Sequence, residues 1–402
     1  MNTHSHYIEE AIVLRLIAFI LFVTAGFPAS AQQAFPFHNQ PGPHAVGFRV
    51  VQQYDASRAY PSTAPGKPRP VQTAIWYPAR KGGQPMRYDD YLQLLGWDDD
   101  FSRTPAERNK VLADWLKLVT EGKPAEQVAA ERQDPRWAVR DAQALPGKFP
   151  VLIYSPSLSS NVFENAEMME FLASHGYLVI ASPALGVDGR WQKDDLAHAE
   201  AQAADIRFLV GYARTLPQAD TARLAVGGFS WGGMANVLAA AQDDRIKALV
   251  CLDGTVRYRH AMLSKVPYLK PEQLRTPLLF LAQRPQPFER GLRFKPDTSG
   301  SILLKMTGAD VYLMTMYAME HFHFGTSYLR LDPLTFEEFS REEVAQSYAL
   351  SARYVLNFLN GALKGERAGF DYLMKKPEQV GAAPHSVHSQ HFPAGRKASV
   401  QQ

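Results

Sequence analysis

The sequence predicts an α/β fold: an open, mostly parallel central sheet flanked by helices, with a helical insertion between early strands. Three observations predict it. From residue 149 onward, short apolar runs alternate with longer helix-forming stretches, the rhythm of strand–helix–strand units. The short runs are apolar at nearly every position, as strands buried on both faces are. Between one such run and a helix-forming stretch sits Gly228-x-Ser230-x-Gly232, the pattern of a sharp strand-to-helix turn that exposes a serine hydroxyl.

The chain opens on a targeting segment. Arg15 precedes the apolar-to-small run Leu16 to Phe27, and Ala29-Ser30-Ala31 supplies a small-x-small cleavage site. This is the layout of a secretory signal peptide over residues 1–31. The core is short for a membrane span. The mature protein is expected to begin at Gln32 and to work outside the cytoplasm, secreted or periplasmic.

Residues 32–45 are rich in Gln, Pro and His and read as irregular. Val46–Val51 and Val71–Tyr77 are strands, separated by a proline-rich loop. Residues 83–147 break the strand rhythm and form the helical insertion. In it, Thr104-Pro105-Ala106-Glu107 is a capping box with Pro at the first helical position. Val111, Leu112, Trp115, Leu116 and Val119 follow at helical spacing. That apolar face either covers the site or packs on the body of the sheet. Tyr88–Leu95 is a shorter helix ended by Gly96.

The alternation then runs strand 149–154, helix 164–175, strand 177–181, helix 198–216, strand 224–226, helix 234–241, and strands 246–252, 276–282 and 311–317. A helix follows over 335–363. The α/β domain thus spans 32–367. Residues 378–402, with His385, His388 and His391, read as a disordered tail.

With 402 residues, 46% of them hydrophobic, the chain is long enough for a large core. Its 43 basic and 40 acidic residues give a net charge of +3, which supplies no field for nucleic acid. Cys251 is the single cysteine, so intrachain disulfides and multi-cysteine metal sites are excluded. The turn at 227–234 has no Lys after its glycines and no G-x-G-x-x-G, which removes phosphate binding.

A serine hydroxyl is a weak nucleophile and needs a base, which in turn needs an acid to orient it. In an open α/β sheet these groups gather at the carboxyl ends of strands, in the chain order Ser, acid, His. Strand 246–252 ends in Asp253-Gly254, and the next ends in Gln283-Arg284-Pro285 with Glu289 as its nearest acid. Asp253 is the better orienter. The last strand is followed by Glu320-His321-Phe322-His323-Phe324. Either histidine could be the base, and an extended backbone would put both on one side. A metal-binding pair is the rival, without a third ligand cluster to support it. Two backbone N–H groups must hold the oxyanion. Trp231 follows the nucleophile, and Ser157 or Leu158 follows an early strand; Pro156 has no N–H to offer.

With these residues in view, the chain resembles the α/β-hydrolase superfamily, in particular the plasma platelet-activating-factor acetylhydrolases and their dienelactone-hydrolase-like relatives. The resemblance covers roughly residues 42–365. It rests on Ile75-Trp76-Tyr77-Pro78, Gly147 to Ser155, Leu172 to Tyr177, the Ser230 turn, Leu252-Asp253-Gly254 and His321-x-x-Phe324. It implies an α/β-hydrolase fold and hydrolysis of short-acyl or phospholipid-like esters by Ser230, Asp253 and His321. It also implies Trp231 and Leu158 as oxyanion donors, no cofactor and no metal. The partners implied are a small-molecule or lipid ester and a transient lipid surface. Where the family usually has Ser-His-Gly-Leu, this chain has Ser155-Pro156-Ser157-Leu158. The alternatives are a lactonase, a polyester hydrolase, or an inactive binding protein on the same scaffold.

Overall fold

The computed structural model describes residues 34–61, 66–285, 301–333, 336 and 338–397. The targeting segment and Glu289 lie outside the described residues. Strands are β1 (Ala45–Ala59), β2 (Pro68–Ala79), β3 (Pro85–Arg87), β4 (Pro135–Arg140), β5 (Phe149–Ser155), β6 (Leu178–Ala181), β7 (Ala219–Phe229), β8 (Ala248–Leu252), β9 (Leu278–Gln283), β10 (Val311–Met316) and β11 (Val387–Phe392). The helices are α1 (Tyr88–Leu92), α2 (Pro105–Val119), α3 (Ala125–Gln133), α4 (Ala166–Ser174), α5 (Leu196–Ala213), α6 (Trp231–Ala240), α7 (His260–Leu263), α8 (Ile302–Lys305), α9 (Thr326–Leu331), α10 (Arg341–Lys364) and α11 (Arg367–Leu373).

The strands form one sheet in the order β11-β10-β9-β8-β7-β5-β6-β2-β1-β4-β3. From β6 through β5, β7, β8 and β9 to β10 all neighbours run parallel. The pairs β1–β2, β2–β6, β3–β4 and β10–β11 are antiparallel. This is the α/β-hydrolase fold.

Alternate residues of each strand feed two cores. In β5, Leu152 and Tyr154 face a layer built with α4 and α10, through Met169, Leu172, Tyr348 and Val355. Val151 and Ile153 face the other layer, with Ile206 and Leu209 of α5 and Met234 and Leu238 of α6. Burial on both faces accounts for the continuous apolar runs in the sequence.

The insertion contains more than helices. The capping box of Thr104 and Glu107 does start α2. But β3 and β4 extend the main sheet, with Val46 to Phe48 of β1 parallel to Ala138 to Arg140 of β4. The strand escapes a sequence reading because its apolar residues are set among Pro135, Arg136 and Arg140. Arg136 is nonetheless buried, on ion pairs with Asp134 and Glu167. The apolar face of α2 packs on the first core layer. Trp115 meets Phe163 edge-on, ring centroids 6.0 Å apart, so the insertion abuts the segment after β5.

The tail also departs from expectation. Residues 387–392 are not disordered but form β11, paired along the whole of β10. An open sheet leaves backbone donors and acceptors unpaired at its edge, and a polar strand satisfies them while tolerating solvent. His391 stacks on Tyr312 with centroids 4.4 Å apart and lies 2.9 Å from Asp310. The expected helix start at 335 lies outside the described residues; the final long helix begins at Arg341, capped by Ser340 and Glu343.

Candidate active site

Ser230 sits between the end of β7 and the start of α6, at φ 52° and ψ −115°. This backbone conformation is costly for a residue with a Cβ and persists only where neighbours hold it. Here the Ser230 N–H donates to Leu252 O at 3.0 Å, and its carbonyl accepts from Gly233 N–H at 3.0 Å and Thr255 N–H at 2.9 Å. The flanking glycines answer to close approach. A Cβ on Gly228 would lie 2.5 Å from the Ser155 carbonyl oxygen. One on Gly232 would press into that same oxygen and lie 2.6 Å from Pro156 O. The loop after β5 therefore rests directly on the turn.

The structure brings Ser230, His321 and Asp253 together. Ser230 Oγ is 2.9 Å from His321 Nε2, and His321 Nδ1 is 2.7 Å from Asp253 Oδ2. An ionised carboxylate only accepts, so Nδ1 carries the hydrogen and Nε2 is left to accept from the serine. Asp253 follows β8 at φ 41° and is fully buried. Its second oxygen accepts from Gln283 N–H at 3.1 Å and Tyr258 OH at 3.3 Å. The His321 ring lies against Phe229, centroids 4.9 Å apart.

The two histidines do not share a side. Residues His321–Phe324 form a 3-10 turn, in which residues two apart point well away from each other. His323 turns inward. Its Nδ1 accepts the Glu320 N–H at 3.0 Å, and its ring stacks on Phe336. Burial pushes its pKa down to about 4, so it is neutral at ordinary pH. Among the described residues no three His, Cys, Asp or Glu side chains are grouped to hold a metal ion.

The loop after β5 separates the two candidate oxyanion donors. The Ser157 N–H is spent on Glu164 Oε2 at 3.0 Å. The N–H groups of Leu158 and Trp231 have no hydrogen-bond partner among the described residues. Gln202 of α5 pins the loop, its Nε2 donating at 2.7 Å to both Ser155 Oγ and Pro156 O. On the far side Ser159, at φ 57°, exchanges hydrogen bonds with Gln192. Gln202, Gln192, Tyr258 and Glu164 were not anticipated. Gln202 and Gln192 act through contacts more than thirty residues away in sequence, while Tyr258 and Glu164 reach Asp253 and Ser157 across loops whose path no local motif announces.

No family model matches the chain, and no curated protein does. Among solved structures it is similar to the ferulic acid esterase from Streptomyces cinnamoneus. The match has a TM-score of 0.57 at 21% identity and covers 84% of this chain and 94% of that one. That likeness bears on the α/β-hydrolase fold; the narrower acetylhydrolase resemblance stays with the residues that suggested it.

Proposed function

We propose that the protein is a serine hydrolase of carboxylic esters that works through an acyl-enzyme. The observation that carries this reading is the unbroken path Ser230 Oγ, His321, Asp253, at 2.9 and 2.7 Å. His321 Nε2 takes the serine proton as Oγ attacks the ester carbonyl carbon, and the buried Asp253 carboxylate stabilises the imidazolium. The carbonyl oxygen becomes an oxyanion facing the N–H groups of Trp231 and Leu158. Collapse expels the alcohol, which takes the proton from His321. Water then repeats the cycle on the acyl-enzyme and releases the acid. Every group this needs belongs to the chain.

The substrate we propose is a short-acyl or phospholipid-like ester, on the resemblance stated above. A ferulic acid ester is the second reading. It is favoured by the named esterase and by two exposed aromatic residues, Phe322 beside His321 and Trp191 next to Gln192. We also propose export, with the mature chain starting at Gln32; N-terminal sequencing of exported protein tests this.

The deciding experiment sets a chain-length series of nitrophenyl esters beside a short-acyl phospholipid and methyl ferulate. Each buried methylene is worth about 0.8 kcal/mol, so a closed acyl pocket gives a climb to a short optimum and then a drop. A profile rising to long chains sinks the short-acyl reading, and preference for ferulate installs the second. If a fluorophosphonate probe fails to label wild type, or labels Ser230→Ala equally, the chain is a binding protein on this scaffold.

A further inference from the structure

Glu164 is a carboxyl group that the hydrolysis above does not use, and it is fully buried beneath the loop that carries Leu158. Its Oε2 accepts the Ser157 N–H at 3.0 Å and the Tyr154 OH at 2.9 Å. Its Oε1 takes the Ser157 hydroxyl, which also lies 3.2 Å from Tyr328 OH. Burial raises the proton affinity of this carboxyl, while the donors of Ser157, Ser160 and Tyr154 pull it back. The main chain of the same residue reaches the other half of the site. Glu164 O accepts from Ser327 N–H at 3.0 Å and Thr326 Oγ1 at 3.2 Å. Those two residues open α9, directly after the turn that carries His321.

The geometry at Ser157 gives this carboxyl a consequence. A trans peptide is planar, so its C=O and N–H point in opposite directions. The Ser157 C=O is held by Ser160 N–H at 3.0 Å, and the N–H of the same peptide unit is that of Leu158. With Ser157 held at its N–H, its hydroxyl and its carbonyl, that unit has no freedom to rotate. Ser157 also stands where the resembled family has Gly. Its φ is not positive, so a side chain is tolerated, and its hydroxyl has Glu164 as partner.

We propose that Glu164 is a positioning residue for the oxyanion hole: by gripping Ser157 at two points it fixes the peptide that presents the Leu158 N–H, and through α9 it couples that peptide to His321. The inference rests on the ester-hydrolase reading above. A hole set in advance acts on the transition state and not on the bound ester. Loosening it therefore lowers kcat and leaves KM in place.

The test uses the full chain with Glu164→Gln and, separately, Ser157→Ala, which removes only the hydroxyl grip. Hydrolysis of a nitrophenyl ester is read beside inhibition by an aryl trifluoromethyl ketone, whose hemiketal oxyanion occupies the hole. Losing one donor outright costs about 10²–10³-fold in kcat. Misplacing it is expected to cost roughly 10- to 100-fold in Glu164→Gln and about 10-fold in Ser157→Ala. KM should move less than about twofold, and the ketone's inhibition constant should rise in step with the fall in kcat. Unchanged kcat and inhibition constant in Ser157→Ala overturns the inference, and does so even if Glu164→Gln fails to fold. So does a fall in kcat with no change in ketone affinity, the mark of a merely structural carboxyl. Wild type that neither hydrolyses esters nor reacts with a fluorophosphonate overturns the esterase reading itself, a result distinct from either.

Discussion

Arg330 of α9 and Glu131 of α3 meet at 2.5 Å with both side chains buried. The same guanidinium reaches Glu167 at 2.6 Å and Asp134 at 2.9 Å and lies over the Tyr88 ring at 4.8 Å. The insertion is thus bolted to the helix that follows the His321 turn. Removing Arg330 leaves buried Glu131 and Glu167 with Arg341 and Arg136 to offset their charge, and breaking a buried pair by removing one partner costs about 3–5 kcal/mol. Arg330→Ala is expected to lose that much in urea unfolding. Arg330→Lys should rescue little, because an ammonium cannot reproduce the planar fork. A loss below about 1 kcal/mol would mean that the insertion is held by its apolar face instead.

Glu167 makes the same cluster pH-dependent. Burial alone would raise its pKa, but Arg330 and Arg136 outweigh burial and hold it at about 2, below the ordinary 4.5. A depressed carboxyl contributes stability that is present above its unfolded pKa and lost as pH falls through the folded one. The unfolding free-energy gap between wild type and Glu167→Gln is therefore expected to be full above about pH 5 and to close toward about pH 2. Chemical denaturation at stepped pH reads this. A gap that stays constant over that range would mean packing, not charge, is what Glu167 supplies.

His321→Ala should abolish ester hydrolysis by several orders of magnitude, as loss of the general base does. His323→Ala should cost about tenfold or less, through the Glu320 N–H left without its acceptor. Because burial keeps His323 neutral down to about pH 4, the acid limb of kcat/KM should keep its midpoint in His323→Gln. A displaced limb there would make His323 a participant in the proton transfer.

Gly232→Ala is expected to lower both stability and kcat. Its Cβ would displace the loop at Ser155 and Pro156, and overpacking of this kind costs about 1–3 kcal/mol. The displaced loop carries Leu158, so ester turnover should fall further than the melting temperature suggests. Turnover at the wild-type level would show that the loop can shift without moving the oxyanion donor.

Much of this molecule was legible because the signals are local. A strand buried on both faces must be apolar throughout, so the parallel strands from β5 to β10 stand out as runs. The turn at Ser230 needs glycines where backbones touch, and it writes them as Gly228 and Gly232. Asp253 was found by asking which acid follows a strand; the same question narrowed the base to His321 or His323, and only the family resemblance pointed to His321. What stayed hidden had no local period. β4 buries Arg136 because Asp134 and Glu167 wait for it, and nothing near Arg136 in sequence announces Glu167. β11 is polar and reads as tail, yet an open sheet edge gives it a partner.

By itself, then, the sequence determined the strand–helix alternation, the serine turn and the short list of groups around it, since each is written in neighbouring residues. Only the tertiary structure decided which histidine faces Ser230, because a 3-10 turn rather than an extended segment separates His321 from His323. It alone decided that Ser157 N–H is spent on Glu164 while the Leu158 N–H is left without a partner. The physical reason is the same in both cases. Where a polar group points depends on which distant partner satisfies it, and that partner arrives only when the chain has folded.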